Sequence, residues 1–251
     1  DIYGYRYQPE KSSIKEVSGL SESFGVNVKV VQDLLREVET KQRELHESHL
    51  EILRNQINPH FLYNTLDSIV WMCKMGKADE AAEMTSALAK LFRVGISRGK
   101  KLILVAKEAE HAESYLKIQS MRFKSKFDYT MDISPEALAC RCNKIILQPF
   151  IENSIKHGII EGEKLHISVK GRTSAKDLIL TVADDGCGMS AEKLEKIRAG
   201  NCETMGIGIK NVDLRIKMCF GEEYGVSVDS VEDEGTTITL RLPRTTEEKQ
   251  E

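Results

Sequence analysis

The chain has 251 residues, 41% hydrophobic and 30% charged, a composition typical of soluble globular proteins and long enough for two modest domains. Its net charge of −3 excludes the basic field on which nonspecific nucleic-acid binding depends. No apolar run approaches the roughly 18 residues that a membrane-spanning helix needs, and no secretory signal opens the chain. Because the first residue is Asp1, we expect a fragment of a longer protein.

The six cysteines are expected to be reduced thiols of a cytosolic protein. Cys140 and Cys142 lie close in sequence, but no second pair stands at the spacing of zinc ligands, so a metal site there is disfavoured. The histidines at 46, 49, 111 and 166 show no partner pattern. We expect them at the surface or in a helical seam.

Residues 1–26 are irregular and are interpreted as a membrane-proximal or upstream linker. From about Val28 a seven-residue repeat begins, with Val31, Val38, Leu45 and Ile52 in one seam and mostly polar residues in the other. This pattern predicts a marginal parallel coiled coil, and an amphipathic surface helix is the alternative.

The helical pattern continues past Pro59 and stops at Gly76, and a second helix is predicted from about Asp79 to Ile96. Two such helices form a hairpin that buries too little surface alone, so we expect two copies to pair as a four-helix bundle. The single tryptophan, Trp71, is expected in the bundle core. Residues 27–100 are therefore assigned to a signalling helix and a dimerisation hairpin.

Beyond residue 100 the pattern changes to mixed helices and strands, which makes the fold class α+β. The predicted helices cover 107–123, 145–157, 190–197 and 209–220, and the predicted strands are "FDYTMDI" and the hairpins "LHISVKGR"/"DLILTVADDG" and "VSVDSV"/"TTITLRL". Residues 101–245 are assigned to one α/β domain and residues 246–251 to a charged tail.

The segment "QPFIENSIKHG" carries polar residues suited to magnesium and phosphate. Helical spacing places Asn153, Lys156 and His157 on one face. An amide oxygen is a suitable ligand for Mg²⁺, and a lysine suits phosphate oxygens. The alternative is an ordinary amphipathic helix with a solvated side.

Two glycine-containing segments follow. In "ADDGCGM" a strand ends at Asp184, which can accept a hydrogen bond from an exocyclic amine, and Gly186 and Gly188 allow the backbone to approach a flat ring. In "MGIGIKNVDLRI", Gly206 and Gly208 precede a helix whose N-terminal amides suit phosphate. Neither a Walker loop nor a dinucleotide fingerprint is present. Each segment alone is weak evidence, and their order is what makes them specific.

With "QINPHFLYNTL" in the hairpin, these segments make the chain resemble the sensor histidine kinases of the LytS/YesM type, over roughly residues 45–243. The resemblance implies a helical-hairpin dimerisation domain followed by a Bergerat-fold sandwich, the ATP-binding domain shared with gyrase, Hsp90 and MutL in the GHKL group. It implies ATP and Mg²⁺ as cofactors, a homodimer, and the receiver domain of a response regulator as partner. It also implies that this is the cytoplasmic portion of a membrane sensor whose membrane helices lie upstream.

The resemblance also implies roles for individual residues. His60 is the phosphorylated histidine, and residues 190–205 form the ATP lid. The implied ATP-binding residues are Asn153 (also the Mg²⁺ ligand), Lys156, His157, Asp184, Gly186, Gly188, Gly206 and Gly208.

Two features depart from the pattern of many histidine kinases. The position after His60, where many carry an acidic general base, holds Phe61, so Glu152 is our candidate carboxylate, with a capping or lid contact as the alternative. Asn64, one helical turn after His60, is a candidate for orienting a hydrolytic water in response-regulator phosphatase activity or for bonding His60, with bundle packing as the alternative.

Pro59 is predicted to kink the helix, either as a moving part or only to shape the bundle.

The predicted function is ATP-dependent autophosphorylation of His60 followed by phosphoryl transfer to an aspartate of a response regulator. Two other classes stay open. One is a signalling adaptor that binds nucleotide without catalysis. The other is a Bergerat-fold ATPase that hydrolyses ATP without phosphorylating itself.

Overall fold

A computed structural model describes residues 29, 31, 33, 59–95, 102–123, 126–159, 162–198 and 207–245. Residues 29, 31 and 33 are helical, and the rest of the predicted coiled coil lies outside the described residues, as do residues 1–26, Gly206 and the tail 246–251. The chain divides into two compact units, residues 1–62 and residues 63–251.

The predicted helical hairpin is present as α1 (Pro59–Lys74) and α2 (Ala78–Gly95). Gly76 adopts φ +72° in the turn, a conformation that glycine reaches without strain, and the Lys77 N–H donates to the Met72 carbonyl at 2.9 Å. This bond satisfies a carbonyl in the last turn of α1 and fixes a short turn. The kink predicted before Pro59 involves residues outside the described ranges and stays a prediction.

The main sheet of the described residues has five strands in the order β2-β4-β5-β7-β6. Strands β4 and β5 pair antiparallel, as do β5 with β7 and β6 with β7, whereas β2 pairs with β4 in parallel. Both hairpins predicted from the sequence are therefore confirmed. The strands are β2 (Phe127–Ile133), β4 (Leu165–Thr173), β5 (Asp177–Asp184), β6 (Gly225–Val231) and β7 (Gly235–Pro243).

A second, two-stranded sheet pairs β1 (Leu102–Leu104) with β3 (Arg141–Asn143) in antiparallel register. The sequence did not predict it, because three residues are too few for a period-two pattern to emerge. Strand β1 leads directly into α3, and the Val105 N–H at the start of α3 donates to the Cys140 carbonyl, just before β3, at 2.8 Å. The small sheet therefore joins the start of the α/β half to a later segment of the chain.

Helices cover one face of the main sheet. α3 packs on β2, α5 on β4, β5 and β7, and α7 on β6 and β7. Alternate residues of β4, such as Ile167 and Val169, are fully buried, which is the pattern of a sheet with one covered face. The helices of this part are α3 (Val105–Phe123), α4 (Pro135–Leu138), α5 (Gln148–Gly158), α6 (Ala191–Arg198) and α7 (Ile207–Phe220).

Two expectations from composition agree with the described residues. In those ranges no helix is both long and apolar enough to cross a membrane. The cysteines that the structure describes are free thiols, and burial raises the pKa of both Cys140 and Cys142. Cys202 lies outside the described ranges.

The start of α5 differs from the prediction. A helix was expected from Ile145, but the helix begins at Gln148 and Ile145 adopts φ +55°. The reason is Glu108 on α3, a fully buried side chain whose two carboxylate oxygens accept the backbone N–H groups of residues 145–147 at 2.7–2.9 Å. The carboxylate at this bend thus satisfies the N–H groups of the segment that ends at Leu147, the N-cap of α5, from 37–39 residues away in sequence.

Arg215 of α7 holds the same bend from the other side. Its guanidinium donates to the carbonyls of Lys144 and Ile145 at 3.1 and 2.9 Å. Burial lowers the pKa of Arg215, and the nearby charge of Glu108 acts in the opposite direction. The segment that leads into α5 is therefore clamped between an acid on α3 and a base on α7.

We predict that Glu108→Gln lowers the free energy of unfolding by about 2–4 kcal/mol, because an amide N–H₂ would face backbone donors in a fully buried site. Chemical unfolding followed by circular dichroism measures this change. Glu110→Gln, two residues away in an exposed pair with Lys107, is the matched control and should change the free energy by less than about 0.5 kcal/mol. Equal effects of the two variants would contradict the clamp.

Candidate nucleotide and phosphoryl-transfer site

Asp184 and α5 are joined by a direct side-chain hydrogen bond. Asp184 ends β5, where its Oδ2 accepts the Ser154 hydroxyl at 2.6 Å and its Oδ1 accepts the Gly186 N–H at 3.2 Å. Ser154 follows Asn153 on α5 and is buried. Sequence reasoning missed Ser154, although it stands within the segment that we singled out. Asp184, the acid predicted to bind adenine, is thus hydrogen-bonded to α5, the helix predicted to hold magnesium.

The turn after Asp184 lies against the end of α5. A Cβ at Gly186 would collide with the backbone of Gly158, so only glycine permits this approach. The Cys187 thiol donates to the His157 carbonyl at 3.0 Å. The close approach that Gly186 makes in the structure is therefore to protein backbone, and its predicted approach to a ring stays a prediction.

The other predicted glycines are placed in different ways. Gly188 adopts φ +59°, and a Cβ there would collide with the Val231 carbonyl of β6. Gly208 lies in the first turn of α7, close to the side chain of Pro149 at the start of α5. Gly206 lies outside the described residues. The two glycine segments thus meet opposite ends of α5, the first at Gly158 and the second at Pro149.

Lys156 and His157 are exposed on the last turns of α5. Desolvation of the imidazole, followed by the charges of Lys156 and of Lys193 on α6, lowers the pKa of His157. The two nearby ammonium groups create a positive local field, which suits an anionic ligand such as a phosphate chain.

Glu152, half-buried on α5, lies close to Tyr115 of α3. Burial, and then the negative charge of Glu152, raises the pKa of the Tyr115 hydroxyl above its usual range. That hydroxyl accepts a hydrogen bond from Gln119 at 2.7 Å, and Gln119 accepts one from Arg122 at 2.9 Å. The sequence analysis did not predict this polar chain, which lines one face of α3.

The predicted residues of α1 differ in their exposure. His60 is exposed. Asn64 is half-buried and lines a cleft of about 420 Å³ with Asp67, Trp71 and Arg122. Trp71, expected in the bundle core, is 61% exposed in the single chain. Of the histidines expected at the surface or in a helical seam, His111 is not at the surface, since it is 3% exposed and contacts Leu91 of α2.

Comparison with known protein families decides what this arrangement is. Residues 48–127 match the family model described as histidine kinase, and residues 144–246 match the model described as histidine kinase-, DNA gyrase B- and HSP90-like ATPase. The chain belongs to the sensor histidine kinases. The second match also implies ATP binding and, with the sheet topology, confirms the predicted Bergerat-type α+β fold.

Two curated sensor histidine kinases illustrate the relationship. Sensor histidine kinase YesM of Bacillus subtilis is 34% identical over 229 residues, which are 91% of this chain and 39% of that protein. Sensor histidine kinase BtsS of Escherichia coli is 30% identical over 213 residues, 84% of this chain and 36% of that protein. The chain therefore spans less than half the length of these relatives.

A solved structure, the histidine kinase domain from the Erythrobacter litoralis EL346 blue-light activated histidine kinase, aligns with a TM-score of 0.44 and 13% identity. The alignment covers 81% of this chain and 94% of that one. The fold assignment rests on the matched family models and the strand order rather than on this likeness.

The first half of this histidine kinase's predicted ATP lid is the short helix α6, which is attached to the sheet. Leu194 and Ile197 are buried, and Arg198 donates to the Val228 carbonyl of β6 at 3.2–3.3 Å and pairs with Asp229. Residues 199–206 lie outside the described ranges. Within 190–198 the predicted lid is therefore a docked helix.

We predict that Lys193→Ala raises the pKa of His157 by a few tenths, because one of the positive charges that lower it is removed. Nuclear magnetic resonance titration of the imidazole carbons measures the pKa. Lys196→Ala is the matched control on the same helix, since Lys196 is paired with Glu192 and should leave the pKa of His157 unchanged. If the pKa of His157 changes with neither substitution, the result would contradict a positive local field at this site.

Proposed function

We propose that the chain is the catalytic portion of a two-component sensor histidine kinase that transfers the γ-phosphoryl group of ATP to its own His60 and then to an aspartate of a response regulator. The observation that supports this most is the convergence of Asn153, Asp184 and both glycine segments on one helix of the matched ATPase region. The exposed histidine in the matched kinase region supplies the acceptor.

In this proposal α5 and the two segments that meet it bind different parts of ATP. Asp184 accepts a hydrogen bond from the adenine amine, and Ser154 and the Gly186 amide orient its carboxylate while leaving lone pairs for the base. Lys156 and His157 contact the phosphates. The amides at the start of α7, around Gly208, add donors for the same phosphates.

The residues present fit a magnesium ion. Asn153 is half-exposed and offers an amide oxygen, the ligand type that Mg²⁺ takes, and Glu152 is adjacent. Within the described ranges no group of three or more His, Cys, Asp or Glu side chains could hold a metal. This agrees with an ion that takes few protein ligands and completes its shell with phosphate oxygens and water. Bound Mg²⁺ would neutralise charge on the phosphates.

The chemistry follows from these positions. A ring nitrogen of neutral His60 attacks the γ-phosphorus, a phosphorus–nitrogen bond forms, and the bond to the bridging oxygen breaks with ADP as leaving group. The proton lost from the imidazole passes to the Glu152 carboxylate. In the second reaction the phosphorus–nitrogen bond breaks and an aspartate oxygen of the receiver domain takes the phosphoryl group. Positioning and charge neutralisation supply most of the rate.

The exposed apolar side chains of α1 favour a homodimer. Tyr63, Leu66 and Val70 follow helical spacing and are 67%, 44% and 51% exposed, and Trp71 beside them is 61% exposed. A second copy would bury these side chains in a four-helix bundle, and the predicted place of Trp71 in the bundle core would then hold.

The remaining parts of the proposal concern the whole protein. We place Asn64 where it can orient a water molecule for hydrolysis of the phosphorylated regulator, which would add phosphatase activity. Membrane attachment is proposed through a segment outside this chain, in keeping with relatives that are named sensor kinases.

Incubation with γ-labelled ATP and Mg²⁺ tests the central step. We expect an acid-labile, alkali-stable label in the unmodified protein and none in His60→Ala, because no other imidazole is proposed to accept the phosphoryl group. His166→Ala, which removes a half-exposed histidine paired with Asp128, is the matched control and should be labelled normally.

Three results would contradict the kinase assignment. Label retained in His60→Ala would place the modification elsewhere. ATP hydrolysis without any label on the unmodified protein would favour a Bergerat-fold ATPase, and nucleotide binding with neither activity would favour an adaptor.

A second experiment tests Glu152. Glu152→Gln should lower the rate of autophosphorylation at saturating ATP by about 10²-fold or more, because general-base assistance is lost, while the Kd for a fluorescent ATP analogue stays within about twofold. Glu163→Gln, an exposed acid in the loop before β4, is the control. Parallel losses of rate and affinity would show that Glu152 serves binding rather than proton transfer.

A further inference from the structure

A stripe of polar side chains lies along one face of α3. Glu108, His111, Tyr115, Gln119 and Arg122 follow one another at intervals of three or four residues, so helical geometry aligns them. The first four are buried, which is unusual for side chains of this polarity unless each is hydrogen-bonded. The stripe meets α5 and the segment before it at Glu108, His111 and Tyr115.

His111 differs from the other members because it contacts two other helices at once. Its Nδ1 lies 3.1 Å from the Leu91 carbonyl of α2, and its Nε2 lies 2.8 Å from Oε1 of the Gln148 side chain. Leu91 is in the last turns of the second hairpin helix, and Gln148 is the first residue of α5. One buried imidazole therefore links the hairpin to the helix that carries Glu152 and Asn153.

The chemistry of imidazole explains why histidine suits this position. A carbonyl can only accept, so Nδ1 donates to Leu91. In the neutral ring Nε2 then has a lone pair and must accept a hydrogen bond. The Gln148 amide can donate it after a half-turn that exchanges its oxygen and nitrogen. The charged ring would donate at both nitrogens. In either form both ring nitrogens are used, and the rigid ring fixes the separation of the two partners.

The remaining α2–α3 contacts hold the helices together without specifying the position of Gln148. Met84 is fully buried in an apolar cluster that Met121 contacts. Lys117 pairs with Glu83 at 2.6 Å, but both side chains are exposed and contribute little. Apolar packing and an exposed ion pair allow small sliding motions, whereas two buried hydrogen bonds on one ring do not.

We propose that His111 is a positioning residue for phosphoryl transfer, which holds the first turn of α5 at a fixed place relative to the hairpin helix α2. The inference rests on the proposed kinase function. His111 does not contact ATP in this proposal. It acts through Gln148, one helical turn before Glu152 and next to the turn that bears Asn153.

A double-mutant cycle tests the link in the full chain. His111→Phe keeps the ring volume and removes both hydrogen bonds, and Gln148→Met keeps the length of the side chain and removes one. Each variant should lower the single-turnover rate of His60 phosphorylation at saturating ATP by about tenfold, while the Kd for a fluorescent ATP analogue stays within about twofold. The double variant should be no slower than the slower single variant, because both remove the same link.

Rates are expressed per site that binds the ATP analogue, so that a partly unfolded variant is not counted as a slow enzyme. If His111→Phe does not fold, Gln148→Met alone still tests the inference through its separation of rate from affinity. His166→Phe, a histidine on the open face of the sheet, is the control and should match the unmodified protein.

Three outcomes would overturn the inference. They are a double variant slowed by about a hundredfold, a Kd that weakens in step with the rate, and rates for both single variants within twofold of the unmodified protein. An unmodified protein that takes up no label would instead contradict the proposed function, and the two failures are therefore distinguishable.

Discussion

The carboxylate of Glu108 is the interaction on which the α/β half depends. A helix begins with N–H groups that lack partners, and a side chain near the helix start usually satisfies them. Here a buried acid on another helix accepts hydrogen bonds from three N–H groups just before α5. Ile145, at the bend in that segment, adopts a left-handed conformation. Because Arg215 holds the carbonyls of the same bend, the position of α5 is determined by α3 and α7 together.

The position of α5 determines where the residues of the candidate site meet. Asp184 and Gly186 belong to one other part of the chain and Gly208 to a second, yet each meets α5. The residues proposed to bind magnesium and phosphate are on α5 itself. A helix held at its start by α3 and contacted at both ends by glycine segments has little freedom of its own, so its position depends on what holds α3.

The sequence predicted the parts of this protein that depend on local patterns. Alternating apolar residues identified β4 through β7, glycine at 76 identified the hairpin turn, and the order of the polar segments identified the family. What it missed depends on distant partners. Glu108 and His111 look like ordinary polar helix residues until the chain folds, because their partners are 20–39 residues away in sequence. Ser154 was missed for a related reason, since a serine beside an asparagine shows no preference for a distant aspartate.

The parallel pairing of β2 with β4 has a consequence for how the protein folds. The antiparallel neighbours β4–β5 and β6–β7 are joined by short turns and can form early, but β2 reaches β4 only after the intervening chain, which includes α5, has crossed over. The helix proposed to hold the triphosphate thus lies inside the crossover that brings β2 onto β4, and β5 and β7 also pair across a long stretch of chain. A newly made chain would acquire its nucleotide affinity only after such long-range pairings have formed, later than its two hairpins.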